Sequence, residues 1–236
     1  MRNILSFHYN PTPADSVLAH YTLEWNLNDT SGNWYNGTLA NGSVSYTTLN
    51  SGKQVLVVNY AWKTRVTTSL NIAPKTASVW INKDSVNDPH PTYWKLFLWQ
   101  LADAWYSWNW NVWAWWALCS CFGWSSYDLW YFTHVENSWP SSADLTTQDK
   151  WTHLCMVDDW SYIHLYQNWV EVWEPASWVR FIAEENFWFL DNEWTWDASY
   201  RRFYWKMSEI LLLNNAWDAT KVLDYYNSTK ATYWIS

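Results

Sequence analysis

Residues 149–174 read DKWTHLCMVDDWSYIHLYQNWVEVWE, and this stretch decides the fold. Thr152–Val157, Ser161–Gln167 and Val170–Trp173 are short runs of aliphatic, aromatic and β-branched residues. Asp158-Asp159-Trp160 and Asn168-Trp169 separate them. In the middle run, Ile163 and Leu165 fall on one face, and Tyr162, His164 and Tyr166 on the other. Period-two alternation broken by tight turns predicts three antiparallel strands in sequence.

Both turns carry an anomaly. A two-residue hairpin turn favours Asn-Gly or Asp-Gly, because its central residues take positive φ and only glycine does so freely. Here Trp follows Asn or Asp: Asn33-Trp34, Asn109-Trp110, Asp159-Trp160 and Asn168-Trp169. Glycines occupy the same context at Asn36-Gly37 and Asn41-Gly42. The chain holds 26 tryptophans and only five glycines, an inversion of ordinary usage. Most of these tryptophans therefore read as glycine positions, as a UGA codon translated differently in two genetic codes would produce. A truly Trp-rich sugar binder would gather its rings on one face instead of at turn tips.

The same strand pattern continues outward. Val17–Leu23, Val55–Val58, Ala77–Ile81, Leu96–Leu98, Ala117–Phe122 and Arg202–Leu213 are further predicted strands, the last with Ile210 and Leu212 on one face. Residues 26–36 and 137–149 read as loops. Asp218 is a good helix N-cap for the following ATKVLDYY, and Trp217 before it can pack on Val222 as a hydrophobic staple. At 236 residues the chain fits a single domain with a sizeable core.

The net charge is −8. No basic stripe suits a nucleic acid, and no apolar run of membrane-spanning length is present. The start, MRNILSFHYNPTPADS, lacks the apolar core of a signal peptide. Export by another route, a longer parent protein, or a role inside a cell or virus particle all remain open. Cys119, Cys121 and Cys155 are the only cysteines. Buried thiols are the default for them, with a bridge from Cys155 as the alternative.

Four segments, in order, resemble the laminin-G-like jelly roll of the concanavalin A-like lectin/glucanase superfamily. They are VLAHYTLEWNLNDTSGNWYNGTL at 17–39, SVWINKD at 78–84, the stretch 149–174, and FYWKMSEILLLNNAWDATKVLDYYN at 203–227. The resemblance spans about residues 17–228 and implies an all-β sandwich of two antiparallel sheets with a short C-terminal helix. It implies native Trp at Trp80 and Trp151, and glycine at Trp25, Trp34, Trp160, Trp169, Trp173 and Trp205. With the staple at Trp217, three tryptophans should be packed, whereas Trp34, Trp110, Trp160 and Trp169 should stand at tips.

The fold hosts many functions, so function must come from sites. Glycosidases of the superfamily carry a Glu-x-Asp-x-x-Glu strand, and this chain has none. Glu171 and Glu174 point to opposite strand faces, as do Glu184 and Glu185, while Asp158 and Asp159 sit at a turn. His153 reads as a packed histidine on a core strand. Calcium prefers oxygen ligands. Asp29 and Asn33 in the NDTSGN loop, with Glu209 on the closing strand, form the candidate calcium set, which the resemblance makes plausible. The alternative is that Asp29 braces its own turn.

Tyr106, Tyr127, Tyr131, His134 and Asn137 lie in the long central insertion and are the candidate ligand-binding residues. The expected role is a non-catalytic module that binds a glycan or a surface protein. It would act outside the cell, at a cell surface or on a virion, as part of a larger protein. A structural or assembly domain is the second reading and a glycoside hydrolase the third.

Overall fold

A computed structural model describes residues 15–58, 64–83, 95–101, 115–123, 126–133, 150–172, 176–177, 186–190 and 205–233. Fifteen strands and one helix lie in them. In chain order the first strands are β1 (Val17–Tyr21), β2 (Thr38–Asn41), β3 (Val44–Thr48), β4 (Gln54–Val58), β5 (Arg65–Thr67) and β6 (Thr76–Lys83). Next come β7 (Lys95–Leu101), β8 (Trp115–Gly123), β9 (Ser126–Thr133), β10 (Trp151–Asp158) and β11 (Tyr162–Gln167). The chain closes with β12 (Val170–Glu171), β13 (Ala176–Ser177), β14 (Phe187–Phe189), β15 (Trp205–Leu213) and helix α1 (Ala219–Tyr233).

The strands form two antiparallel sheets, so the all-β sandwich with a C-terminal helix is observed. The larger sheet runs β12-β11-β10-β6-β15-β4-β3, with β1 also on β15 and β13 also on β11. The smaller runs β2-β5-β14-β7-β8-β9. The expected strands Leu96–Leu98 and Ala117–Phe122 fall within β7 and β8, and the central insertion adds β9 to the same smaller sheet.

Alternation explains the layers. From β6 and β10, Ala77, Val79, Ile81, Leu154 and Met156 enter the core between the sheets. Their neighbours Trp80, Trp151, Cys155 and Val157 face the other way and lie beneath α1. All eight residues of β10 are buried because both faces of the strand are covered. Ile163 and Leu165 join the inter-sheet core, as their spacing requires. Cys155 is a buried free thiol.

The helix begins where its cap predicts. The Lys221 amide donates to Asp218 Oδ1 at 2.9 Å, and Trp217 and Val222 are packed in one cluster.

The tryptophans divide as the turn chemistry requires. Trp80, Trp151 and Trp217 are 0%, 7% and 2% exposed, whereas Trp34, Trp160 and Trp169 are 81%, 66% and 44% exposed. The exposed three hold φ of 65°, 75° and 71°, in the left-handed range that Gly32, Gly42 and Gly52 also occupy. Asn168 (φ 48°) and Trp169 form a two-residue loop closed by the Gln167–Val170 pair. Positive φ at both central residues is the type I′ hairpin, the turn that favours Asn-Gly. Trp160 is not wholly without contacts, since the Lys75 ammonium lies 3.0 Å from its ring centroid. Trp110 lies outside the described residues.

Candidate functional site

Of the five candidate ligand residues, Tyr106, His134 and Asn137 lie outside the described residues. Tyr127 and Tyr131 occupy β9, an edge strand of the smaller sheet, and not a loop. Tyr127 pairs with Phe122 and Tyr131 with Leu118, which in turn pairs with Leu98 of β7.

The candidate calcium residues serve other roles. Asp29 accepts hydrogen bonds from the amides of His20 (3.0 Å), Ser31 (2.9 Å) and Tyr35 (3.1 Å), and from the Ser31 hydroxyl (2.9 Å). The Ser31 bond is an Asx turn, the bracing role weighed as the alternative. Asn33 Nδ2 donates to the carbonyls of Val17 and Leu18. Asp29 is thus ringed by donors, whereas a calcium site needs oxygen acceptors around the ion. Among the described residues no group of three or more His, Cys, Asp or Glu is placed to hold a metal ion.

Glu209 lies elsewhere, in a buried network. Its carboxylate is 3.3 Å from the Lys53 ammonium and accepts from the Tyr233 hydroxyl at 2.8 Å. Lys53 also pairs with Glu24 at 3.1 Å, and His20 Nε2 is 3.9 Å from Glu209. Burial and the Glu209 charge push the Tyr233 hydroxyl well above its ordinary pKa.

The cause is local topology. β15 pairs with β4 through Lys206 and Met207, then with β1 from Ile210 onward. At that change of partner, the register on β6 slips between Ser208 and Leu211, and Glu209 takes φ 54°. A bulge re-aims a side chain, and here Glu209 meets the end of α1. Lys53→Met leaves this carboxylate buried without its cation, which costs about 3–5 kcal/mol. A Lys53→Met/Glu209→Gln double variant should recover most of that loss in chemical denaturation; equal loss in both chains would contradict the pairing.

His153 is the packed histidine expected. It is fully buried, its Nε2 is 2.8 Å from Ser78 Oγ, and its ring lies 5.1 Å from that of Trp80 and 5.3 Å from that of Tyr225. Burial lowers its pKa to about 3, so it stays neutral. Its Nδ1 has no hydrogen-bond partner among the described residues. A nucleophile-and-base pair would need access to substrate, and this pair has none.

A cluster of titratable side chains also lies at the surface of β10–β12. His164 on β11 lies between Asp159 of the β10–β11 turn and Glu171 of β12. Tyr162 and Tyr166 flank its ring, each with centroids 6.3 Å away. The sequence places the three aromatic side chains on one face, but nothing in it brings the two carboxylates to them.

No protein-family profile matches the chain, and no curated protein matches it in sequence. Solved structures do. Domain 4 of AbnA, a GH43 extracellular arabinanase from Geobacillus stearothermophilus in complex with arabinotriose, superposes with a TM-score of 0.63 at 21% identity. That match covers 89% of this chain and 98% of the domain. A botulinum neurotoxin type C structure, whose cell entry depends on two ganglioside molecules, gives 0.57 at 15% identity. The binding domain of botulinum neurotoxin DC in complex with rat synaptotagmin II gives 0.58 at 16%. These cover 91% and 90% of this chain, which spans about half of either toxin structure (51% of each). The chain therefore has the β-sandwich fold of these domains.

Proposed function

We propose that this chain is a single non-catalytic recognition domain of the laminin-G-like, concanavalin A-like kind, which binds a glycan or a surface protein outside the cell or on a virion. The observation that carries this reading is the superposition, over 89% of this chain, on the arabinanase domain in complex with arabinotriose. The toxin structures, of which this chain spans about half, belong to proteins with ganglioside or synaptotagmin partners. Tyr127 and Tyr131 are the aromatic positions assigned to ligand contact. Calcium is not needed by this reading, because Asp29 and Glu209 are already engaged. No helix among the described residues is long and apolar enough to cross a membrane.

The chain on an array of arabino-oligosaccharides and ganglioside oligosaccharides, in calcium and in chelator, should give saturable binding. Tyr131→Ala should weaken it about tenfold, roughly 1.4 kcal/mol, with the melting temperature checked in parallel. Absence of any glycan or surface-protein ligand would leave the structural or assembly reading in its place.

The same proposal assigns the tip tryptophans Trp34, Trp160 and Trp169 to native glycine through a reassigned codon. Their left-handed φ and their exposure support it. The abundance of aromatic residues then carries no argument for sugar binding.

A further inference from the structure

Each ring nitrogen of His164 faces a carboxylate. Nδ1 is 2.6 Å from Glu171 Oε1, and Nε2 is 3.1 Å from Asp159 Oδ2. An ionised carboxylate only accepts hydrogen bonds, and a neutral imidazole has a single N–H. Both contacts are hydrogen bonds only when the ring carries both protons. Asp159 is locked in place, since its Oδ1 accepts the amides of Ser161 at 2.7 Å and Tyr162 at 2.6 Å. Burial alone would raise the Asp159 pKa, but these bonds and His164 outweigh it and lower the net value.

The two carboxylates belong to different elements. Glu171 sits on β12, an exposed strand of two residues that pairs with β11 only at Tyr166–Glu171 and Gln167–Val170. Beyond it the Val172 amide donates to the Leu165 carbonyl. β13 covers the same side of β11 at Tyr162–Ser177 and Ile163–Ala176, so the charge-assisted bond at 2.6 Å acts on the β12 part of this edge.

We propose that His164 is a proton-operated latch: doubly protonated, it ties edge strand β12 to the β10–β11 turn, and neutral, it releases β12 and uncovers β11 at Tyr166 and Gln167. These groups surround it among the described residues. Tyr162 and Tyr166 flank it on its own strand. Its cross-strand partner on β10 is Val157, beside Asp158, whose carboxylate lies 4.0 Å from Lys75. From the start of α1, Asp218 acts on Tyr166. Burial lowers the His164 pKa, but its bonds to Glu171 and Asp159 and their charges outweigh this, and the net direction is upward. A raised folded-state value gives stability that is complete below the unfolded value, about 6.5, and is lost as pH rises through the folded value.

The test follows the His164 ring by NMR through a pH titration. It uses the full chain as written and the full chain with Trp34→Gly, Trp160→Gly and Trp169→Gly. The His164 midpoint should lie above about 6.5 and fall by about one unit in Glu171→Gln. The melting temperature should drop roughly 2–4 °C across that midpoint, and His164→Gln should lack this drop. A midpoint at or below the ordinary value, or the same drop in His164→Gln, overturns the latch.

Discussion

Replacing Trp34, Trp160 and Trp169 with glycine should stabilise the chain by a few kcal/mol, although it removes three large aromatic side chains. Each holds φ between 65° and 75°. A bulky residue there carries strain of about 1–3 kcal/mol. Two effects oppose the gain. Glycine widens the unfolded ensemble by about 0.4–1 kcal/mol per site. Loss of the exposed Lys75–Trp160 contact forfeits about 0.5–1 kcal/mol. Buried area offers little resistance at Trp34 and Trp160, which are 81% and 66% exposed, and somewhat more at Trp169, which is 44% exposed. Strain relief is the largest of these, so the sign is stabilising. Domains are held by only about 5–15 kcal/mol, so the gain should be plain as a rise in denaturation midpoint. It should also reduce aggregation, by removing exposed aromatic surface. An unchanged or lower midpoint would contradict the assignment.

The same substitution at Trp80 should have the opposite sign and a larger size. Trp80 is fully buried between the larger sheet and α1. Its ring stacks on Tyr226 at 5.7 Å and on Tyr233 at 4.4 Å, and its Nε1 donates to Thr229 Oγ1 at 3.2 Å. Emptying such a site costs about 3–5 kcal/mol, and glycine inside a strand adds about 0.5–1 kcal/mol. The helix loses the stacking of Tyr226 and Tyr233 on β6. Trp80→Gly should therefore consume much of the domain's stability, visible as a lower midpoint and loss of near-ultraviolet circular dichroism. If Trp80→Gly and Trp160→Gly moved stability the same way, the division into packed and tip tryptophans would fail.

Local patterning carried much of this structure. Ile163 and Leu165 alternate with Tyr162, His164 and Tyr166, and the strand faces follow. Asp218 and Trp217 mark the start of α1 because cap and staple act over a few residues. Trp34, Trp160 and Trp169 announce their positive φ through the Asn or Asp before them.

What was not legible depends on long-range pairing. Glu209 reads as one carboxylate in an apolar run. Its burial against Lys53 and Tyr233 arises only because β15 exchanges β4 for β1 at that residue. The His164 cluster needs two turns to fold Asp159 and Glu171 onto one ring. Short strands such as β2 and β14 are defined by their partners, Thr38–Leu39 and Trp188–Phe189 both pairing on β5. The segment holding the candidate ligand residues is the part least like the resembled family, and its Tyr127 and Tyr131 belong to strand β9 of the smaller sheet.

The most direct test of the account is the nucleotide sequence that encodes the chain. The account predicts UGA at positions 34, 160 and 169, where the backbone is left-handed and the side chain exposed, and UGG at 80, 151 and 217, where the ring is packed. Peptide masses of the natural protein should then show glycine at the first three and tryptophan at the others. UGG at all six positions would contradict it. Trp34, Trp160 and Trp169 would then be genuine exposed rings held at a cost in strain.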